Sequence, residues 1–195
     1  MDCSKLLDNF KNHGFSVKYF ETAAEASSYL AGALKGETIG FGGSVTLKDM
    51  GLYDLLANEN TVCWHWKTPG DRERYAEFTT YITSANAVAE TGELVNIDGT
   101  GNRVASTLYG PKKLYFVCGI NKITPDLTTA IDRARNVAAP ANAKRLGYKT
   151  PCAVTGKCHD CNSPERICRG MVIHMRPINN FECTEVIIVG EILGF

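Results

Sequence analysis

The spacing of apolar residues changes period many times along this chain. CSKLLDNFKNH (3–13) has helical spacing, and Gly14 offers a stop. FSVKYF (15–20) alternates apolar with polar residues and predicts a strand. Thr22 followed by Glu25 has the spacing of a capping box, in which each side chain satisfies a free amide, and the helix it opens should end at Gly36. TIGF (38–41) predicts a short buried strand. VTLKDMGLYDLLAN (45–58) predicts a helix after the intervening GGS. TVCWHW (61–66) reads as a strand, and DRERYAEFTTYITSA (71–85) as a helix of mixed charge.

Turns and strand-like pieces dominate next, in AVAETGELVNID (87–98) and NRVASTLYG (102–110), separated by Gly99 and Gly101. KLYFVCGI (113–120) predicts a central strand. Thr124-Pro125 predicts a helix start, since threonine caps and proline suits the first helical position. That helix should reach about residue 139, be kinked or restarted by Pro140, and end at Gly147. MVIHMRPI (171–178) and TEVIIVGEIL (184–193) close the chain as strands. Strands alternating with helices predict an α/β fold with a mostly parallel sheet flanked by helices. With no internal repeat, low-complexity tract or composition shift, residues 1–195 read as one domain with a cysteine-rich surface loop at 150–170.

Charge removes some functions from consideration. The formal net charge is zero and basic residues are scattered, so no global positive field draws the chain to nucleic acid or to an anionic membrane. The apolar runs are strand-sized, too short to span a bilayer, and the N-terminal stretch has no apolar run of signal-peptide length. The expectation is a cytoplasmic protein whose eight cysteines stay mostly reduced.

TIGFGGSVTL is strand, glycine turn, helix. Gly40, Gly42 and Gly43 let a ligand approach the backbone, Ser44 or Thr46 can cap the helix or bind a ligand, and the site would suit a phosphate or carboxylate. The motif is neither a Walker loop nor a full G-x-G-x-x-G fingerprint, and on the pattern alone a tight turn that needs glycine for its dihedrals is the simpler reading. Glu90, at the end of an apolar strand and followed by Thr91 and Gly92, is a candidate general base, nucleophile or ligand-binding carboxylate. Asn102 and Arg103 follow a Gly-Thr-Gly turn, and Arg103 can clamp a carboxylate or phosphate through two parallel hydrogen bonds. An ordinary hairpin turning at Asp98-Gly99 is the alternative.

Cys152, Cys158, Cys161 and Cys168 follow the spacing C-x5-C-x2-C-x6-C. Four thiols in so short a segment suit zinc or an iron–sulfur cluster, and the spacing does not choose between them. Lys149, Lys157, Arg166 and Arg169 would offset the negative charge of such a centre. A redox C-x-x-C dithiol and unrelated free thiols are the other readings. Cys63 and Cys118 fall in apolar strand runs and read as small packed hydrophobes, and His65 and His174 read as packed or surface imidazoles.

TIGFGGSVTL, ITSANAVAETGELV, NRVASTLYGPKKLYFVCGINKI and EVIIVGEILGF together resemble the LUD domain, the lactate-utilisation family that includes LutB/LutC-type proteins. The resemblance implies a fold related to the sugar-isomerase and CoA-transferase (NagB/RpiA-like) group. There, a glycine loop after an early strand holds an anionic substrate. Carried over, residues 40–44 form that loop, and Glu90, Thr91 and Gly92 face the same cleft. The ferredoxin-like cysteine runs of LutB-type members have no counterpart here, and LutC-type members generally lack a compact four-cysteine loop. The resulting expectation is a protein of lactate or related hydroxy-acid utilisation. It would bind a small anion, carry a metal centre, work with redox partner subunits and leave room for a homo-oligomer. Alternatives are an isomerase or CoA-transferase-like enzyme using Glu90, and a non-catalytic subunit with structural zinc.

Overall fold

A computed structural model describes residues 3–195. The chain opens with helix α1 (Ser4–Asn12), strand β1 (Ser16–Phe20) and helix α2 (Ala23–Ala33). The capping box at Thr22 and Glu25 forms in both directions, with bonds of 3.2 and 3.0 Å. Strand β2 (Thr38–Phe41) follows, then α3 (Val45–Asp49), α4 (Leu52–Leu56) and β3 (Thr61–Cys63). The single helix expected over 45–58 is two, because Gly51 between them adopts φ +64°. Strand β3 is shorter than expected, since the Trp64 carbonyl accepts turn bonds from Lys67 and Thr68.

The largest departure lies at 71–85. In place of a helix there are two short 3-10 turns, Pro69–Arg72 and Tyr75–Glu77, and then β4 (Thr80–Thr83). Thr, Tyr, Ile and Thr are residues that suit a pleated surface, and all four are buried in mid-sheet. Next come β5 (Ala87–Ala89), β6 (Leu94–Asp98), α5 (Asn102–Ala105) and β7 (Lys113–Gly119). The strand-like piece expected at 102 is thus a helical turn, entered through Gly101 at φ +90°.

After a 3-10 turn (Ile120–Lys122) come β8 (Ile123–Thr124) and α6 (Leu127–Arg133). Asp126, not Thr124, caps α6 by accepting from the Thr129 amide at 2.7 Å, because Thr124 belongs to the sheet. A π-helical stretch, Ala134–Ala138, joins α6 to α7 (Ala139–Arg145). Pro140 supplies no amide to the α-ladder there, which gives the widened turn a local cause. Helix α8 (Pro151–Thr155), β9 (Gly170–His174) and β10 (Cys183–Val189) complete the order.

Six strands form one parallel sheet in the order β1-β10-β7-β4-β2-β3. A smaller mixed sheet has the order β8-β5-β6-β9. The expected α/β fold, with a parallel sheet flanked by helices, is the one observed. Alternation along β10 sends Ile187 and Val189 into a core with α2, α3 and α4, which holds Leu30, Leu47 and Leu56. Val186 and Ile188 face the other way, into a core with Phe10 of α1 and with Val88 and Leu94 of the small sheet. Ala130 and Ala134 cover the far face of the small sheet.

Gly40 is where the sheet permits least change. A Cβ there would lie 2.2 Å from the Phe78 ring. Gly40→Ala should lower unfolding stability by about 1–3 kcal/mol, as overpacking does. In denaturant titrations the double variant with Phe78→Ala should lose less than the two single losses combined, because the collision is then removed.

Candidate functional site

Strands β2 and β4 lie side by side, with Phe41 opposite Ile82. From β2 the chain moves outward to β3, and from β4 it moves the other way to β7. The carboxyl ends of β2 and β4 therefore flank the point where strand order reverses, the place where open α/β sheets bind ligands. A cleft of about 240 Å³ opens there.

The turn after β2 forms one wall. The Gly42 amide donates to the Ile82 carbonyl at 2.9 Å, and a Cβ on Gly42 would meet the Thr83 hydroxyl at 2.4 Å. Glycine is thus needed for the turn to lie flat on β4. Ser44 caps α3 by accepting from the Leu47 amide at 3.3 Å. The opposite wall comes from α7, where Arg145 lies 5.1 Å over the Trp66 ring and is steadied by Asn142 at 2.8 and 3.0 Å.

Lys122 stands at the floor and is only 4% exposed. Its ammonium donates to Ser84 Oγ at 2.8 Å, Thr46 Oγ1 at 2.9 Å and the Ala85 carbonyl at 3.2 Å. Thr46 Oγ1 in turn donates to the Leu193 carbonyl at 3.2 Å. None of these acceptors is a carboxylate. Burial therefore pushes the Lys122 pKa down to about 8; the nearby Cys118 thiol counters this, while Arg133 and Arg103 add to it.

Of the residues expected to bind a ligand, Gly43, Ser44, Thr46, Asn102 and Arg103 line the cleft. Gly40 and Gly42 lie behind it, in the strand and the turn. Arg103 is already engaged: Nε pairs with Asp98 at 3.2 Å, Nη1 reaches Asn96 and Nη2 reaches the Ile97 carbonyl. It contributes charge to the wall, not the free two-pronged clamp expected of it.

Glu90 and Thr91 do not face this cleft, which corrects the expectation carried over for them. Glu90 opens the turn after β5, beside α1: its carboxylate pairs with Lys5 and its carbonyl accepts from Asn9 at 2.7 Å. Thr91 donates to Glu93 at 2.5 Å. The cause is the tight β5–β6 turn, closed by the Gly92 amide on the Ala89 carbonyl at 2.9 Å, which docks on α1 and not on the strand ends.

Sequence reasoning missed Lys122, Ser84 and Arg145. Lys122 follows a long apolar strand, so the polar residue just beyond a strand end was the available signal. Ser84 was hidden by reading its strand as part of a helix.

The four cysteines lie along 152–168 as free, partly exposed thiols. Arg166 fastens the segment: Nη1 donates to the Cys161 carbonyl at 2.7 Å, Nε to the Cys168 carbonyl at 2.9 Å and Nη2 to Asp160 at 2.9 Å. Cys158 Sγ accepts from the Asp160 amide at 3.4 Å, and the Thr150 hydroxyl lies 3.3 Å from Cys152 Sγ. Among the described residues no group of three His, Cys, Asp or Glu side chains is arranged to hold a metal ion. The thiols as placed do not fit zinc or a cluster.

The depressed Lys122 pKa has a measurable sign. In the unfolded chain a lysine titrates near about 10.4. Between about pH 8 and pH 10 the unfolded state binds more protons than the folded state, so this residue makes stability rise with pH. The buried thiols Cys63 and Cys183, pushed up by burial, act in the opposite direction. The informative quantity is the stability difference between wild type and Lys122→Met. It should grow by about 2–3 kcal/mol from pH 8 to pH 10, the size set by the pKa shift; a flat difference would contradict the assigned environment.

The LUD domain model matches residues 3–189. The crystal structure of a DUF162 family protein from Deinococcus radiodurans superposes with a TM-score of 0.57 at 13% identity, covering 97% of this chain and 99% of that one. That likeness shows the fold. No curated protein matches the chain. With the family model covering nearly the whole chain over the same strands and turns that build the cleft, this chain belongs to the LUD domain family.

Proposed function

We propose that the cleft binds a small anion, a carboxylate such as that of lactate or a related hydroxy acid, and that the chain serves utilisation of such acids. The observation that carries this is the charge balance of the lining. Lys122, Arg103 and Arg145 face the cleft, and among the described residues Asp98 is the only acidic side chain that lines it. The excess positive charge sits in a partly desolvated crevice, where attraction to an anion is stronger than in open water.

Roles follow from how free each group is. Arg145 is exposed at the mouth, with one terminal nitrogen outside its bonds to Asn142, and can pair directly with a carboxylate. Lys122 holds a fixed charge at the floor and orients the Ser84 and Thr46 hydroxyls. Those hydroxyls suit the hydroxyl or carbonyl oxygen of the acid. A volume of about 240 Å³ favours an acid of a few carbon atoms. Oxidising the hydroxyl of such an acid to a carbonyl removes an electron pair and two protons; in this reading the electrons pass to a redox partner subunit and the protons to solvent, while this chain binds and orients the acid. Membership in the LUD domain family supports the connection to lactate utilisation.

The alternatives have less behind them. The isomerase or CoA-transferase reading rests on Glu90, which pairs with Lys5 away from the cleft, and the acidic side chain that does line the cleft, Asp98, is paired with Arg103. The four-cysteine segment enters no step of this proposal.

The test is calorimetric titration with L-lactate, pyruvate and inorganic phosphate. At least one should bind, and Arg145→Ala should weaken it by about tenfold or more, the loss expected for one charge-assisted hydrogen bond. The melting temperature should hardly move, since Arg145 is exposed. Absence of binding by all three, or unaltered affinity in the variant, would refute the assignment.

A further inference from the structure

A second hollow, about 840 Å³, adjoins the cleft. His65, Thr100 and Asn102 line both, so the two spaces meet along that edge. Their characters are opposite. Among the described residues no lysine or arginine lines the second hollow, which carries Asp71 and Glu73. Its body is aromatic. The Phe78 and Tyr81 rings stack at 6.1 Å between centroids and 17° between planes. Tyr75 and Tyr109, 65% and 77% exposed, also line it.

Exposed tyrosines offer flat apolar ring faces, and flat rings stack on flat rings. The carboxylates repel an anion but accept hydrogen bonds from an amino group. Asp71 already serves the Trp64 amide at 2.7 Å and Arg74 at 3.3 Å, whereas Glu73 is exposed and available. A ligand that satisfies both spaces has a negative end for the cleft and a planar, amino-bearing ring for the hollow.

We propose that the two spaces form one bipartite site for an adenine mononucleotide, with its phosphate in the cleft and its base among the tyrosines. This rests on the anion-binding reading of the cleft and extends it. Charge sets the orientation, because the reverse placement would put phosphate against the exposed Glu73 carboxylate and leave Lys122 and Arg145 without an anion. Lactate and the nucleotide then use the same cations, so they compete.

Calorimetry with AMP, adenosine and inorganic phosphate tests this. AMP should bind at least about tenfold more tightly than either half alone, the order expected for adding a stacked base to a charge contact. Tyr109→Ala should weaken AMP and adenosine by about tenfold and leave phosphate unchanged. Arg145→Ala should weaken AMP and phosphate but not adenosine. Lactate should raise the apparent Kd for AMP. AMP binding no tighter than phosphate would overturn the bipartite site while leaving the anion cleft standing. Adenosine binding without any phosphate, lactate or AMP advantage would overturn both the cleft reading and this proposal. Wild-type AMP affinity in both Tyr109→Ala and Tyr75→Ala would remove the base from the hollow; both residues are exposed, so these variants should fold.

Discussion

The bonds of the Lys122 ammonium connect four separate parts of the chain. Thr46 comes from the helix after β2, Ser84 and Ala85 from the end of β4, and Lys122 itself from the turn after β7. Through Thr46, the stretch after β10 joins them. Neighbouring parallel strands do not by themselves fix how their exit loops sit. A buried ammonium with three acceptors does, because any loop that withdraws leaves a charged donor unpaired in a low dielectric. Asn121 adds a second tie by accepting from the Leu193 amide at 3.1 Å. The cleft keeps its shape because the group at its floor cannot easily lose any of these partners.

The same crevice shows how charge is divided between structural and available roles. Arg103 is spent on Asp98, Asn96 and the backbone of β6, and so fixes one wall of the cleft. Arg145 is held at one edge by Asn142 and Trp66 and remains accessible. Identical side-chain chemistry thus gives one rigid wall and one accessible partner, and the difference lies in the number of acceptors each finds nearby.

Much of the architecture was legible in the sequence. Alternation marked β1, continuous apolar runs marked β7 and β10, and the capping pair at Thr22 and Glu25 marked α2. The glycine turn after β2 was also readable, and its Gly43, Ser44 and Thr46 do line the crevice. The strand at 80–83 was obscured because the charged stretch before it, DRERYAE, imitates a helix, and only the packing against β2 and β7 decides the matter. Glu90 has the local features of a reactive carboxylate; what removes it from the crevice is the docking of its turn on α1, a long-range contact with no local signature. The cysteine spacing could not say whether the thiols converge, since the segment's path is set by Arg166 and its carbonyl partners.

The π-helical stretch before Pro140 has a consequence for the far end of that helix. One additional residue in a turn delays everything downstream by about 100° of rotation, the angle per residue of an α-helix. Ala130, before the delay, and Ala134, at its start, face the small sheet; downstream, Ala139, Asn142 and Arg145 face the crevice. One rod thereby serves two neighbours lying in different directions. A single missing amide hydrogen, five positions ahead of the guanidinium, sets the bearing at which that positive charge meets the mouth of the crevice.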